Sequence, residues 1–585
     1  MIKKLFKQMI ISQIVSALSI TVCLLVDSIM IGRFLGVDSV AAYGLANPVL
    51  LVFAAFGSML SCGIQVVCSK SMGNGDKTSI NKFYTVSIVV ATTFSVIAIT
   101  LVVIFMDPLC EMLGAEPGTE VFKLTKRYLL GFLLGGPAFI AAQMMVPYLQ
   151  MAGERIRLIV AVLCMTVMDI ILDLLNVHLF KQDMFGMGLA STISYYVAIT
   201  FGLAYFLGKK CIYKFQKKLI DLKAIGQIAL GGVPTVINQI SLVLLVFTIN
   251  KVLIKSSGST GGNIAVAAFS IVSTIANLGY CIGNGVSEVS LMLSGLSYEE
   301  EDDHSLTDIV KTQTFFATLL GGASMAVFLI FAGPIVRLFL DNPDAEGAAI
   351  WGLRMFAISL IPSSINAAFK KYYQAISRVR FSESISVVQN FLFPAIVVLT
   401  LGNIFGDKGV WWYYIIGETL SIVYITIATH IMSKKKFLSL ESLVCLPSGF
   451  GSKPGDVMEF TILDKSEVST ASSAAGLFCT KKGQGKKKSM YTSLCIEELA
   501  NNIIQYGFEK PGQNRIDIRL VKKKKTMLIR IRDNCKGFDP VKFLEMSRTQ
   551  TDDPAKHIGI RMTLKIVKKV QYVNSLGLNN LTLEI

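Results

Sequence analysis

The stretch Leu158-Ile-Val-Ala-Val-Leu-Cys-Met-Thr-Val-Met-Asp169-Ile-Ile-Leu-Asp173-Leu-Leu-Asn-Val-His-Leu-Phe180 decides the fold. It is long and apolar enough to cross a bilayer as one helix. Two carboxylates interrupt it, Asp169 and Asp173. Four residues apart, they share one helix face. The first apolar run of the chain, residues 13–36, carries a third, Asp27. An ionised Asp near the middle of such a helix costs about 2.5–3.5 kcal/mol on insertion scales. Acids persist there mainly where they handle an ion, a proton or a charged substrate. Two neighbouring carboxylates also repel, so at least one should hold a proton or a cation.

The rest of the chain repeats this apolar character. Its 585 residues are 52% hydrophobic and only 16% charged, and its mean hydropathy is +0.57. A soluble protein carries closer to about 25% charged residues. The eleven cysteines include no C-x-x-C pair and no metal-ligand spacing, so neither a disulfide framework nor a zinc site is expected. The formal charge of +16 comes largely from lysine runs. Loop lysines beside membrane spans account for it more simply than a nucleic-acid partner, and none is expected. The lysine-rich N-terminus is not followed by a small-residue cleavage site, so it is read as a lead into the first span.

Twelve spans are expected, at about 10–35, 44–69, 84–106, 126–150, 157–179, 186–208, 227–254, 264–293, 313–332, 350–373, 384–404 and 410–432. The basic residues that follow spans 2, 4, 6, 10 and 12 lie on one side, among them Lys70, Lys77, Arg155, Arg157, Lys209, Lys370, Lys371 and the run 434–436. The positive-inside rule makes that side, and both termini, cytoplasmic. The acidic loop 299–303 breaks the trend. The spans also repeat. Val40-Ala-Ala-Tyr43 recurs as Val266-Ala-Ala-Phe269, Pro108-Leu-Cys-Glu-Met-Leu as Pro334-Ile-Val-Arg-Leu-Phe, and Tyr148-Leu-Gln150 as Tyr372-Tyr-Gln374. Two six-helix halves of like orientation follow, with a transport path between them. The fold class is an all-α polytopic membrane protein of two parallel repeats, residues 1–222 and 223–436. A linker (437–455) leads to an α/β tail (456–585) of the α+β sandwich kind. Strand-like pieces fall at 457–463, 515–521, 527–532 and 581–585, and helical ones at 490–506 and 560–570.

Several ordered motifs carry a resemblance. They include Val26-Asp27 with Gly32 and Gly36, Ser69-Lys-Ser-Met-Gly73-Asn-Gly75-Asp76, Tyr148-Leu-Gln-Met-Ala-Gly153-Glu-Arg155, Gly186-Met-Gly188 and Gly232-Val-Pro234. In these the first 435 residues resemble the multidrug and toxic compound extrusion (MATE) transporters. The resemblance implies export of small organic cations or drugs, driven by Na⁺ or H⁺. It implies a cation site at Asp27, Asp169 and Asp173, with a hydroxyl from Ser191 or Thr192. Asp169 stands where Asn is usual in that family, which leaves the choice between Na⁺ and H⁺ open. Glu288 and Glu418 are further candidates, as substrate contacts or as interfacial acids.

The tail carries a second resemblance. Glu497-Glu498-Leu-Ala-Asn501-Asn502, Asp533-Asn-Cys-Lys-Gly537-Phe-Asp539 and His557-Ile-Gly559-Ile560 are similar to the three nucleotide boxes of histidine-kinase-like (GHKL) ATPases, especially anti-sigma-factor serine kinases. By that likeness Asn502 binds Mg²⁺, and Glu498 orients or deprotonates the attacking water or hydroxyl. Asp533 accepts from the adenine amine, with Gly537 and Gly559 beside the nucleotide. Cys535 and Tyr506 depart from the pattern, and the third box keeps one glycine. ATPase activity, serine/threonine kinase activity and a docking role all stay open for this region.

The expected protein is therefore a cation-coupled antiporter in a bacterial cell membrane, in contact with lipids, with an ATP-binding regulatory tail. A regulatory protein of the anti-anti-sigma type is a candidate partner. Two rivals stand beside it, a lipid-linked sugar flippase and a sensor that signals through the tail. The spans carry acids and few cations, which favours cationic cargo over a sugar-lipid.

Overall fold

The computed structural model describes residues 2–35, 37–209, 211–339, 343–447, 449–453, 455–508, 514–523, 526–535, 539–540 and 558–585. The first half is built from α1 (Ile2–Met30), α2 (Val37–Gly73), α3 (Lys77–Ile104), α4 (Glu120–Leu133), α5 (Gly136–Met151), α6 (Arg155–Leu175) and α7 (Asp183–Phe206). α4 and α5 meet at a 49° bend and form one broken crossing. Apolar side chains point outward along these helices. On α3, Ile97, Leu101 and Ile104 are 53%, 51% and 66% exposed. A continuous apolar surface of this extent is stable against lipid and not against water.

The second half opens with α8 (Leu222–Glu299), a helical run of 78 residues where the sequence suggested two spans and a loop. It is not one straight rod. Gly63 of α2 packs on the Ile228 carbonyl, and Gly73 packs on that of Leu296. Those glycines lie about 15 Å apart along α2, whereas a straight helix would separate residues 228 and 296 by about 100 Å. The run therefore doubles back and crosses twice. The glycine- and serine-rich residues 256–262 lie between the limbs, and such residues favour sharp bends. α9 (Asp303–Ile330), α10 (Pro343–Ala375), α11 (Val379–Val387) continued by α12 (Phe393–Phe405), and α13 (Tyr413–Ser433) complete the half. Among the described residues ten helices pass alone as spans. The broken crossing and the second limb of α8 bring the crossings to twelve.

Each half has its own core. One centres on Phe53, Tyr128, Tyr148 and Leu158, the other on Phe269, Phe356, Leu353 and Trp411. The tail adds β1 (Val457–Ile462), α14 (Ser466–Lys481), α15 (Lys486–Gly507), β2 (Ile516–Lys522), β3 (Met527–Asp533), α16 (Ile558–Ile566), β4 (Lys569–Ser575) and β5 (Leu578–Glu584). The sheet order is β1-β2-β3-β5-β4, antiparallel throughout. Ile518, Leu520, Ile529 and Ile531 alternate inward along the strands and pack on α14 and α15. The tail is thus an α+β sandwich, with helices on one face of an antiparallel sheet. The helix expected over 560–570 stops at Ile566, and Lys569 already starts β4. From there the chain pairs antiparallel with β5, Lys569 opposite Glu584 through Ser575 opposite Leu578, which a helix cannot do.

Candidate functional site

Asp27 lies three residues short of the end of α1, and Asp169 and Asp173 lie on successive turns of α6. Both helices leave their regular winding immediately afterwards, in π turns at Ile31–Leu35 and Asn176–Phe180. Such turns are often found at functional sites. The packing of α1 against α6 brings the three acids together. One carboxylate oxygen from each lies within 4.8 Å of the others, and all three side chains are buried. Few donors attend them. Ser191 Oγ donates to Asp27 Oδ2 at 3.4 Å, and Ser194 Oγ donates to Asp169 Oδ1 at 3.1 Å. No donor from a described residue reaches Asp27 Oδ1 or either oxygen of Asp173. Three carboxylates this close, this dry and this poorly hydrogen-bonded are an incomplete set, and a proton or a cation completes it.

Of the two hydroxyls read from the sequence, Ser191 meets the acids and Thr192 does not. Thr192 donates to the Gly131 carbonyl at 2.8 Å and packs on Gly135. The second hydroxyl at the acids is Ser194, which the sequence reading missed. Its signal is spacing: Ser194 lies three residues beyond Ser191 on α7, on the same face.

Glu288 and Glu418 stand apart from this cluster and from each other. Glu288 lines a cavity of about 350 Å³ between the halves. Its carboxylate pairs with Lys371 at 2.9 Å. The wall mixes amides and hydroxyls, among them Gln13, Gln65, Asn238 and Asn284, with apolar residues such as Val146 and Pro234, and Lys370 lies beside Lys371. Glu418 is buried outside that wall. Asn366 Nδ2 and Gln389 Nε2 donate to its Oε2 at 2.7 and 2.9 Å. Lys370 Nζ donates to Asn238 at 2.6 Å and to Gln389 at 3.3 Å, so Gln389 links the lysine to Glu418. The expectation of few cations near the path meets two lysines here.

In the tail, Glu498 and Asn502 occupy successive turns of α15. The Glu498 carboxylate fills the space beside Gly559, where any Cβ would collide with its Oε2. A side chain at position 559 would have to displace the Glu498 carboxylate. Asp533 ends β3. Asn579 Nδ2 and the Cys535 backbone N–H both donate to its Oδ1, at 2.8 and 3.0 Å. The Cys535 thiol is a third donor to the same carboxylate. Burial pushes the Asp533 carboxyl above the usual aspartate range, against the hydrogen bonds from Asn579 and Cys535. Asn579 was not among the residues read from the sequence. Cys535 is tolerated because Gly507 offers it no side chain: a Cβ on Gly507 would lie 2.9 Å from Cys535 Cβ. Gly537 and His557 fall outside the described residues.

Family models match both parts of this architecture. Residues 13–175 and 234–400 each match the MatE family model, one block in either half. The chain belongs to the MatE family. Residues 463–585 match the model of the histidine kinase-like ATPase domain. Among curated relatives, the multidrug export protein MepA of Staphylococcus saprophyticus is 23% identical over 391 residues, 66% of this chain and 84% of MepA. MepA of Staphylococcus haemolyticus is 24% identical over 383 residues, covering 65% and 83%. A solved outward-facing multidrug resistance MATE transporter aligns with TM-score 0.68 at 20% identity, over 72% of this chain and 94% of that one. A point mutant of the Vibrio cholerae MATE transporter VcmN aligns with TM-score 0.68 at 18% identity, over 75% and 98%. A Pyrococcus furiosus transporter described as having a binding pocket of reverse polarity aligns with TM-score 0.66 at 21%, over 72% and 94%. The MatE region is thus a multi-pass transporter fold, and the ATPase-like domain is an addition to it.

Proposed function

We propose that this chain is an ion-coupled antiporter that exports small organic solutes, with Asp27, Asp169 and Asp173 holding the coupling ion. The observation that carries the reading is the group of three buried carboxylates within 4.8 Å, with oxygens that no donor among the described residues satisfies. The residues present fit either ion. Carboxylate and hydroxyl oxygens from the three acids, Ser191 and Ser194 suit a hard cation such as Na⁺. The same carboxylates can share protons. When filled, the site is neutralised and α1 is drawn to α6. When vacated, the negative charges repel, and the two helices have reason to part. That alternation is what links the ion to the movement of the two halves.

The cargo passes between the halves, through the cavity that Glu288 lines. An organic cation is the first reading, from the family and from Glu288. A second reading, cargo with an anionic group, is favoured by Lys370 and Lys371 in the same wall. The basic loops support a cytoplasmic placement of both termini in a bacterial cell membrane. The tail then works as a cytoplasmic regulatory domain. Asn502 would hold Mg²⁺, Glu498 would orient a water or a protein hydroxyl, and Asp533 would accept from adenine. ATP bound there supplies a transferable phosphoryl group. A regulatory protein with an acceptor hydroxyl is the partner in the kinase form of this reading.

The test uses purified full-length chain in proteoliposomes, with a fluorescent organic cation as cargo. A Na⁺ gradient and a H⁺ gradient are imposed in turn, without ATP. One of them should drive efflux in the wild type. Efflux that proceeds equally with no ion gradient would defeat the antiport reading.

A further inference from the structure

The acidic loop that broke the charge pattern has a partner. Along β2 and β3, the residues that alternate with the tail's core are Arg519, Arg530 and Arg532, and they face away from α14 and α15. Arg532 Nη2 donates to both carboxylate oxygens of Glu300, at 2.6 and 2.7 Å. Arg519 pairs with Asp302, and Arg530 donates to the Glu300 carbonyl. The Arg532 and Glu300 side chains are 16% and 7% exposed. Burial would raise the Asp302 carboxyl, but the Arg519 guanidinium outweighs it and holds the group below the usual aspartate range. Charges buried this far are costly unless matched; Arg519 and Arg532 meet acids across the boundary between tail and transporter, and Arg530 meets a carbonyl. Glu300 and Asp302 join α8 to α9, so this contact is made to the second half.

The first half is held by another part of the tail. Leu576 and Gly577 form the two-residue turn between β4 and β5, and both have positive φ, 58° and 76°. Asn-Gly is the favoured pair for such a turn, and leucine is a strained choice. The strain has a compensation: Leu576 is 2% exposed and packs, with Val573 and Leu578, into the core of the first half. Its N–H donates to the Met151 carbonyl, and Arg155 Nη2 donates to the Leu576 carbonyl at 2.9 Å. Gly153, at φ 82°, approaches so closely that a Cβ there would collide with the backbone N of Gly577. A third contact reaches the nucleotide region. Lys77, at the start of α3, bonds Asp539 at 2.6 Å, in the segment that Asp533 begins.

We propose that the tail domain is a bridge fastened to both halves on one face of the transporter, and that nucleotide binding in it sets how readily the halves part there. The second clause rests on the ATP-binding reading above. Alternating access needs the two halves to separate on each face in turn. A rigid domain that grips residues 151–155 of one half and 300–302 of the other opposes separation on the face it covers. Asp539 and Lys77 then give the nucleotide pocket a direct contact with the moving parts.

The test uses the full-length protein in lipid nanodiscs. Cys62 lines the interhalf cavity, bonded to Lys371 and Gln374, and serves as the reporter. Its labelling by a maleimide is followed peptide by peptide by mass spectrometry. Arg532→Glu and Leu576→Asn should each speed labelling by about 5- to 30-fold, the ratio that 1–2 kcal/mol of lost docking energy gives. The exchange Glu300→Arg with Arg532→Glu should return it toward the wild-type rate. Leu576→Asn suits its turn, so misfolding of the tail is not the cause of its effect. Unchanged labelling in both single variants would overturn the bridge. A non-hydrolysable Mg-ATP analogue should change the wild-type rate and leave both variants unaffected. If displacement of a fluorescent nucleotide proves that the analogue binds, and wild-type labelling does not move, nucleotide control is overturned. If no nucleotide binds, the ATP-binding reading fails instead, and the variants still decide the bridge.

Discussion

The two halves of the transporter share one architecture, and only the first carries the three buried acids of the cluster. At the repeat offsets, Asp27 corresponds to Leu253, Asp169 to Phe393 and Asp173 to Val397. Leu253 and Val397 are as buried as the acids they replace. The second half builds the same helices around an apolar core at the very place where the first half gathers three carboxylates. The acids are therefore no requirement of the fold. They are a liability that one half carries and the other avoids, which is the pattern of a functional site.

Breaking the comparison from the apolar side should give the largest effect. Leu253→Asp puts an acid at the mirror position without the other two. It should cost about 3 kcal/mol, the scale for an Asp within a membrane helix, and confer no new ion dependence. Thermal unfolding in detergent and gradient-driven efflux check the two parts. Asp169→Asn removes one charge and keeps the Ser194 donor in reach. Transport should persist, with its dependence on ion concentration shifted by about tenfold, since one charge-assisted hydrogen bond is worth about 1.5–3 kcal/mol. Ser194→Ala should weaken ion dependence by severalfold, near the ~1 kcal/mol of an ordinary hydrogen bond, while Thr192→Ala leaves it unchanged. The smallest effect is at the tail. Asp302 titrates below the usual range when docked, so its contribution to docking is full above the undocked value and is lost as pH falls through the docked one. The excess of Cys62 labelling in Arg532→Glu over the wild type, a ratio from which the pH dependence of the thiolate cancels, should therefore be constant around neutral pH and shrink only in acid.

The contrast also marks what a sequence discloses. Crossings, repeat and acids were legible because hydropathy, spacing and charge are local properties of the chain. The choice of Ser194 over Thr192 was not, because it depends on how α7 is rotated against α4 and α6. The first two residues of strand β4 were read as the end of a helix and the rest of it was not read as a strand, since no glycine or proline separates it from the helical pattern before it. The acidic loop was an anomaly in the topology argument. Its partners, Arg519 and Arg532, lie more than 200 residues away, and only the fold brings them together. The lysines of the cavity were counted among the cytoplasmic loop charges. The end of α10 turns them inward instead, toward Glu288 and Gln389.

The central claim is that ion coupling resides in the first half alone. Calorimetry on the full-length protein, titrating Na⁺ in buffers of different protonation enthalpy, reads both Na⁺ binding and the release of protons. The account predicts ion or proton exchange in the wild type, and the same signal in Leu253→Asn/Val397→Asn. It predicts loss of that signal in Asp27→Asn/Asp173→Asn. A signal that survives neutralisation of both acids would contradict it.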